Sequence, residues 1–105
     1  MAQQGGLLRL SQVRVSGGRS AGGRYTVSFH LSASAQVEVN VLAGGRVLRR
    51  LVSGASRSAG IQQVSWDGRD ASGVALPAGS YLLEVKATSA DGQMVRTVVP
   101  VTLTR

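Results

Sequence analysis

Two carboxylates close together in the sequence are the first groups whose chemistry we consider. Asp67 and Asp70 lie in one short segment, and their oxygen atoms are ligands of the type that Ca²⁺ prefers. The spacing differs from that of an EF-hand loop, and the segment supplies only two carboxylates. Because aspartate also favours turns, where its side chain accepts backbone N–H groups, we expect turn capping at both positions. A low-affinity calcium site at Asp67 and Asp70 is the alternative interpretation.

The other reactive side chains do not form a catalytic set. The sequence contains one histidine, His30, and no cysteine, which excludes thiol catalysis, disulfides, zinc knuckles and iron–sulfur sites. His30 alternates with Phe29 and Leu31, so we expect it to point outward from a strand. The serine residues lie in predicted loops and on predicted outer faces, with no base motif beside them. We therefore predict no enzyme activity, no cofactor and no transition-metal site.

Arginine dominates the charge of the chain. Twelve basic and five acidic residues give a formal net charge of +7. Up to residue 57, eight arginines face one acid, Glu38, so this half alone accounts for the excess. Such an excess attracts acidic partners. The candidate interaction surface comprises two contact regions, the N-terminal strand with Arg9 and Arg14 and a second strand with Arg46, Arg49 and Arg50, together with any sheet edge that remains unpaired.

The nature of the partner follows from what accompanies these arginines. The chain has four aromatic residues, and most of them fall at predicted core positions, so no platform remains on which bases could stack. We therefore expect a protein partner or self-association, and we do not expect specific nucleic-acid recognition. Binding to an acidic surface or a polyanion remains an alternative, because charge alone supports non-specific attraction. A sugar-binding module would need exposed aromatic rings, which the predicted burial of Trp66 argues against.

Alternation of apolar and polar residues with a period of two predicts strands along most of the chain. The adjacent Arg49 and Arg50 interrupt this alternation and indicate an edge strand or a bulge, because two adjacent arginines cannot both face a core. Pro100 indicates a second sheet edge. Six of the predicted strands cover residues 24–31, 36–42, 47–52, 61–66, 80–88 and 94–103.

The seventh predicted strand lies near the N-terminus and contains a change of face. Leu8 and Leu10 share one parity, whereas Val13 and Val15 share the other. The inward face therefore changes near Ser11 and Gln12, which requires a kink in the strand. The glycine-rich stretch that follows would act as a hinge if this strand were donated to a neighbouring copy.

Seven strands with short turns predict an all-β fold: an antiparallel two-sheet sandwich of immunoglobulin or fibronectin type III character. Gly44-Gly45 and Asp91-Gly92 predict tight hairpin turns, and residues 53–60 predict a loop that crosses between the layers.

Residues 7–105 are expected to form this single domain, preceded by a leader over residues 1–6 that is disordered or was added for expression. No apolar run is long enough to span a membrane. The large members of a core rich in valine and leucine are predicted to be Tyr25, Phe29, Trp66 and Tyr81.

Five short blocks carry a family resemblance. They are Val39-x-Val41, Gly45-Arg46-Val47-Leu48-Arg49, Ala59-Gly60, Trp66-Asp67-Gly68-Arg69-Asp70-x-x-Gly73 and Leu76-Pro77-Ala78-Gly79-x-Tyr81. In this order and spacing, residues 25–103 resemble the FlgD-type Ig-like domain. That domain is the sandwich module of the flagellar hook-capping protein and of the C-termini of secreted bacterial proteins.

The resemblance implies a non-catalytic structural or protein-interaction module of an extracytoplasmic bacterial assembly of the cell-surface, secreted or flagellar type. It also implies an extracellular or cell-surface location. A self-assembling subunit of a filament, a decoration protein of a shell and a basic polyanion-binding domain are the alternative functions. The blocks further predict a structural corner, whose members are Trp66, Asp67, Gly68, Asp70, Gly73, Gly79 and Tyr81.

Overall fold

The structure, a computed structural model, describes residues 8–18 and 22–104. The predicted leader over residues 1–6 lies outside the described residues, as does part of the glycine-rich stretch that was predicted to act as a hinge. All seven predicted strands are present. They are β1 (Leu10–Gly18), β2 (Arg24–Leu31), β3 (Ala35–Ala43), β4 (Arg46–Arg57), β5 (Gly60–Trp66), β6 (Gly79–Thr88) and β7 (Met94–Leu103).

The strands form two antiparallel sheets, which confirms the predicted sandwich. One sheet has the order β1-β2-β5 and the other the order β4-β3-β6-β7. Hairpins join β1 to β2, β3 to β4 and β6 to β7, whereas the connections after β2, β4 and β5 cross between the sheets. At the two sides of the sandwich, β1 lies beside β7 and β4 lies beside β5. The edge strands β1 and β4 are therefore on opposite sides of the molecule.

Inward-facing residues of the two sheets form one core. The alternation in β2 places Val27, Phe29 and Leu31 inside with no exposed surface, opposite the inward residues of β3 and β6. Of the four large residues predicted for the core, Tyr81 alone is only half-buried. The buried apolar residues are Leu8, Tyr25, Val27, Phe29, Leu31, Ala35, Val37, Val39, Val41, Val52, Val64, Trp66, Leu76, Leu83, Val85, Ala87, Val101 and Leu103.

The predicted kink in the first strand is present. Gln12 has a φ of 56°, and the pairing of β1 with β2 shifts register between Ser11 and Arg14. The bulge returns Val13 to the core side of the strand. Before the kink, the Leu8 amide donates a hydrogen bond of 2.9 Å to the Gln93 side chain, which precedes β7. The first residues of the described chain therefore reach the other sheet.

Strand β4 is both an edge strand and bulged, as predicted, but it is longer than predicted. Its pairing with β3 shifts register at three places, which skip Leu48, Leu51 and Gly54. The shifts turn Leu48 and Leu51 toward the core. The prediction of a loop over residues 53–60 is wrong, since β4 continues to Arg57. The small residues of this segment still pair with β3, and Gly54, with a φ of 76°, absorbs the third shift.

Both predicted hairpin turns exist, but one differs from the prediction. Gly44 and Gly45 have φ values of 57° and 76°, and they form a two-residue turn between β3 and β4. At the β6–β7 hairpin the prediction of a two-residue turn is wrong. The Gly92 amide donates a hydrogen bond of 3.0 Å to the Ser89 carbonyl, so the turn is longer than two residues. Gly92 has a positive φ, whereas Asp91 does not.

Candidate functional site

Trp66 ends β5 and anchors the connection to β6, which covers residues 67–78. Its side chain is 1% exposed, and its ring packs against Tyr25 with centroids 5.4 Å apart and planes tilted by 39°. The indole N–H donates a hydrogen bond of 3.0 Å to the carbonyl oxygen of Arg69. The tryptophan therefore fills the core and also fixes the loop that follows it.

The two aspartates that were considered as calcium ligands bond to the backbone of their own loop. Asp67 accepts the amide of Arg69 at 3.1 Å, two residues further on. Asp70 accepts the amides of Ser72 and Val74 at 2.9 Å and 3.0 Å through one oxygen atom. In residues 8–18 and 22–104, no three side chains of the metal-binding types lie close together. A calcium ion would have to compete with these amide donors, and this favours the capping interpretation.

The glycines and Tyr81 of the predicted corner complete this connection. Gly68 has a φ of 75°, and its carbonyl accepts the Leu76 amide at 3.0 Å across the base of the loop. Gly73 has a φ of 86°, and its amide donates to the Asp70 carbonyl at 3.0 Å. At the start of β6, the Tyr81 hydroxyl donates to the Pro77 carbonyl at 2.6 Å. Gly79, the remaining member of the predicted corner, begins β6.

Arg49 joins this loop to the edge strand β4. One nitrogen atom of its guanidinium lies 3.1 Å from a carboxylate oxygen of Asp67 and 3.1 Å from the Arg69 carbonyl oxygen. The Ala71 amide also donates to the Leu48 carbonyl of β4 at 3.0 Å. Arg49 was predicted as part of an interaction surface, but the structure places its charge within the corner.

The charge of Arg49 also acts on the ionisation of Asp67. Burial of the Asp67 carboxylate raises its pKa, but the hydrogen bond from the Arg69 amide and the charge of Arg49 outweigh burial. The pKa of Asp67 therefore lies below its ordinary value of 3.8. At neutral pH this carboxylate is ionised, which suits a structural ion pair and not a proton donor.

The other four predicted arginines lie on two sides of the sandwich. Arg9 directly precedes the edge strand β1 and Arg14 lies in it, whereas Arg46 and Arg50 lie on the edge strand β4. Because these two strands are on opposite sides of the sandwich, the arginines form two separate groups. We call Arg9 and Arg14 the β1 group, and Arg46 and Arg50 the β4 group.

All five aspartate and glutamate side chains have partners within the chain. Glu38 pairs with Lys86 at 3.5 Å, and Glu84 pairs with Arg96. Asp91 accepts hydrogen bonds from its neighbours in the β6–β7 turn. By contrast, among the residues that the structure describes, five arginine side chains have neither a hydrogen bond nor an ion pair. These are Arg9, Arg14, Arg24, Arg46 and Arg50.

The comparison with known proteins agrees with this architecture. Residues 12–91 match the family described as the FlgD Ig-like domain. The chain belongs to this family. The crystal structure of FlgD from P. aeruginosa is similar to the chain, with 33% sequence identity and a TM-score of 0.61. The match covers 73% of this chain and 61% of the chain in that structure, so this chain spans about three fifths of the length of the chain it matches. No curated protein matches the chain.

Sequence reasoning missed two features of this FlgD Ig-like domain. The first is Asn40, which lies at an outward position of β3 but is only 2% exposed. Its side-chain amide donates a hydrogen bond of 2.9 Å to Glu84 of the neighbouring strand β6. Among the residues that the structure describes, the Oδ1 atom of Asn40 has no hydrogen-bond partner. An asparagine between valines in a strand was a visible signal, but its partner on β6 requires knowledge of which strands pair.

The second missed feature is an apolar row across the outer face of the four-stranded sheet. Leu42 pairs with Val47 on one side and with Leu82 on the other, and Leu82 pairs with Pro100. Val47 and Leu82 are each 44% exposed. The apolar residues at outward parity in β3 and β6 could have indicated this row before the structure was known.

His30 lies on the outer face of the three-stranded sheet, opposite Ser11 and Ile61, and is half-buried. Within the described part of the chain, no helix has the length and apolar character needed to cross a bilayer.

Proposed function

We propose that this FlgD Ig-like domain is a non-catalytic structural module that contacts a protein partner within an extracytoplasmic bacterial assembly of the flagellar hook-capping type. The observation that carries the proposal is the imbalance between its charges. Every aspartate and glutamate side chain is engaged within the chain, whereas five arginine side chains have no partner among the described residues. Such a surface attracts an acidic partner and repels a basic one.

Family membership supports the structural part of the proposal. Residues 12–91 match a family named for FlgD, and the similar solved structure is itself a FlgD protein. FlgD is a component of the flagellar hook assembly, and by analogy we propose an extracellular or surface location for this chain. The geometry of the corner is consistent with a rigid scaffold, because Trp66, Asp67 and Asp70 all bond to the loop itself.

The experiment measures binding of the domain to purified hook filaments. We expect binding that weakens as the salt concentration rises, since the free arginines supply the attraction. Reversing both charges of the β4 group (Arg46→Glu with Arg50→Glu) and of the β1 group (Arg9→Glu with Arg14→Glu) tests each side separately. The side in contact should lose about tenfold or more in affinity, and the opposite side serves as the matched control.

If the unmodified domain does not bind the filaments, the hook-type assignment is contradicted. If both double variants bind as tightly as the unmodified domain, the role of the arginines is contradicted. The polyanion-binding alternative depends on the same free arginines and is tested with heparin. A steep fall of heparin affinity with salt supports that alternative, and flat binding removes it.

A further inference from the structure

Each sheet of the sandwich has two edges, and three of these four edge strands carry features that oppose pairing with another chain. Strand β1 has the bulge at Gln12 and carries Arg14. Strand β4 has three register shifts and several arginines. Strand β7 carries Arg96 and Pro100, the second of which cannot donate a backbone hydrogen bond. Bulges, charges and proline are the devices by which edge strands avoid association.

The fourth edge strand, β5, has none of these devices. Its seven residues pair with β2 in continuous register, without a bulge. Its sequence contains no proline, and it is the only one of the seven strands without a charged residue. Ile61 on its outer face is 60% exposed. Among the described residues, no backbone hydrogen bond outside the strand ladders involves a β5 residue, so the backbone of its free edge has no partner in that part of the chain.

We infer that the free edge of β5 pairs with the same edge of a second copy of this chain, to form a continuous six-stranded sheet. This inference extends the proposed structural role, because self-pairing is one way in which a module contributes to an assembly.

The charge of the chain favours this edge over others for contact between identical copies. The domain carries a formal net charge of +7, so two copies repel each other wherever arginines meet. No residue of β5 is charged, so no side chain of the strand itself would stand opposite a like charge. Arg57 at the end of β4 donates a hydrogen bond of 3.4 Å to the Gln62 side chain and places one cation near the start of the strand. An antiparallel pair built on a two-fold axis at Gln63 would place Ile61 opposite Ser65 and Gln62 opposite Val64.

The contact is small, since seven residues pair on each side. Interfaces of this size are weak, so we expect dimers to accumulate between about 10 µM and about 1 mM. Sedimentation velocity of the purified domain over this range measures the dimer fraction directly.

Two substitutions to lysine separate edge pairing from other contacts. Gln63→Lys places two positive charges beside each other on the two-fold axis, and we expect it to raise the dimer dissociation constant about tenfold. Ser16→Lys adds the same charge to the same face of the sheet, but at the opposite edge, and should leave the constant unchanged. Raising the salt concentration should restore part of the lost association in Gln63→Lys.

The absence of cysteine in the chain permits a direct test of register. Gln63→Cys places two thiols at directly opposed positions, whose Cα atoms would be about 5 Å apart and within reach of a disulfide. We expect oxidation to crosslink Gln63→Cys into dimers much faster than Ser16→Cys. Thermal unfolding of each variant verifies that the fold is retained.

Three outcomes would overturn the inference. They are a strict monomer up to about 1 mM, dimers that Gln63→Lys does not weaken, or equal crosslinking of the two cysteine variants. Because these measurements use the purified domain alone, their failure leaves binding to hook filaments untouched. Conversely, the absence of filament binding would not affect the self-association that they measure.

Discussion

The indole N–H of Trp66 donates a hydrogen bond of 3.0 Å to the carbonyl oxygen of Arg69. The same oxygen atom accepts a hydrogen bond of 3.1 Å from the guanidinium of Arg49. One carbonyl of a surface loop thereby connects the centre of the core to the edge strand β4. The corner that was predicted from the sequence as a set of neighbouring residues is also a connection between the two sheets.

Replacement of this tryptophan tests the connection. Trp66→Phe leaves a cavity in the core and removes the donor to the Arg69 carbonyl, so we expect the free energy of unfolding to fall by about 2–4 kcal/mol. Urea denaturation measures this loss. Tyr81→Phe, which removes a hydrogen bond at the surface, should cost only about 0.5–1 kcal/mol. Equal losses in the two variants would contradict the role given to Trp66.

The ion pair between Arg49 and Asp67 supports a second prediction. Arg49→Met keeps the length of the side chain but removes the bonds to Asp67 and to the Arg69 carbonyl. We expect a loss of about 1 kcal/mol in unfolding free energy, because the pair is partly exposed. The neighbouring Arg50→Met is the matched control and should change stability by less than about 0.5 kcal/mol. If Arg50→Met costs as much, the loss does not come from the bonds that Arg49 makes in the corner.

The acid stability of the domain depends in part on Glu84. Hydrogen bonds from Asn40 and then from Arg96 hold the pKa of Glu84 below its ordinary value of 4.5. A carboxylate with a lowered pKa stabilises the fold above its ordinary pKa, and this contribution is lost as the pH falls through the folded value. We expect the melting temperature to decrease from about pH 5 downward, and to decrease less in Glu84→Gln. A pH profile that is identical in the two proteins would contradict this assignment.

Gly17 is expected to tolerate no side chain. Its φ is 108°, and a Cβ atom at this position would lie 2.2 Å from the Arg24 carbonyl oxygen of the paired strand. Gly17→Ala should therefore lower the unfolding free energy by about 2–3 kcal/mol. Gly44→Ala, at a φ of 57° with open space around it, should cost only about 1 kcal/mol. Differential scanning calorimetry distinguishes the two values, and similar melting temperatures would show that the backbone contact is relieved easily.

Much of the fold could be predicted because strict alternation specifies both a strand and its inward face. In β2 and β6 the inward residues and the buried residues are the same, with the partial exception of Tyr81. The kink near Gln12 was predictable for the same reason, since a change of parity requires an extra residue. These features are local, and the chain itself encodes them over a few residues.

The features that were not predicted depend on which strands become neighbours. The end of β4 consists of small residues without a pattern, and it is a strand because β3 provides partners for it. Arg49 and Asp67 are 18 residues apart in sequence and meet only when the corner folds onto β4. The two arginine-bearing strands lie on opposite sides of the sandwich because the order of the strands separates β1 from β4.

The bonds made by Arg69 have a consequence for digestion by trypsin. Its carbonyl oxygen accepts two donors, its amide donates to Asp67, and its side chain donates to the Gly73 carbonyl at 2.8 Å. A protease must draw the chain into an extended form before it cleaves, and here every polar group around the scissile bond is held in the loop. Although Arg69 is an exposed residue of a long loop, the bond between Arg69 and Asp70 should survive in the folded protein and be cut only after unfolding.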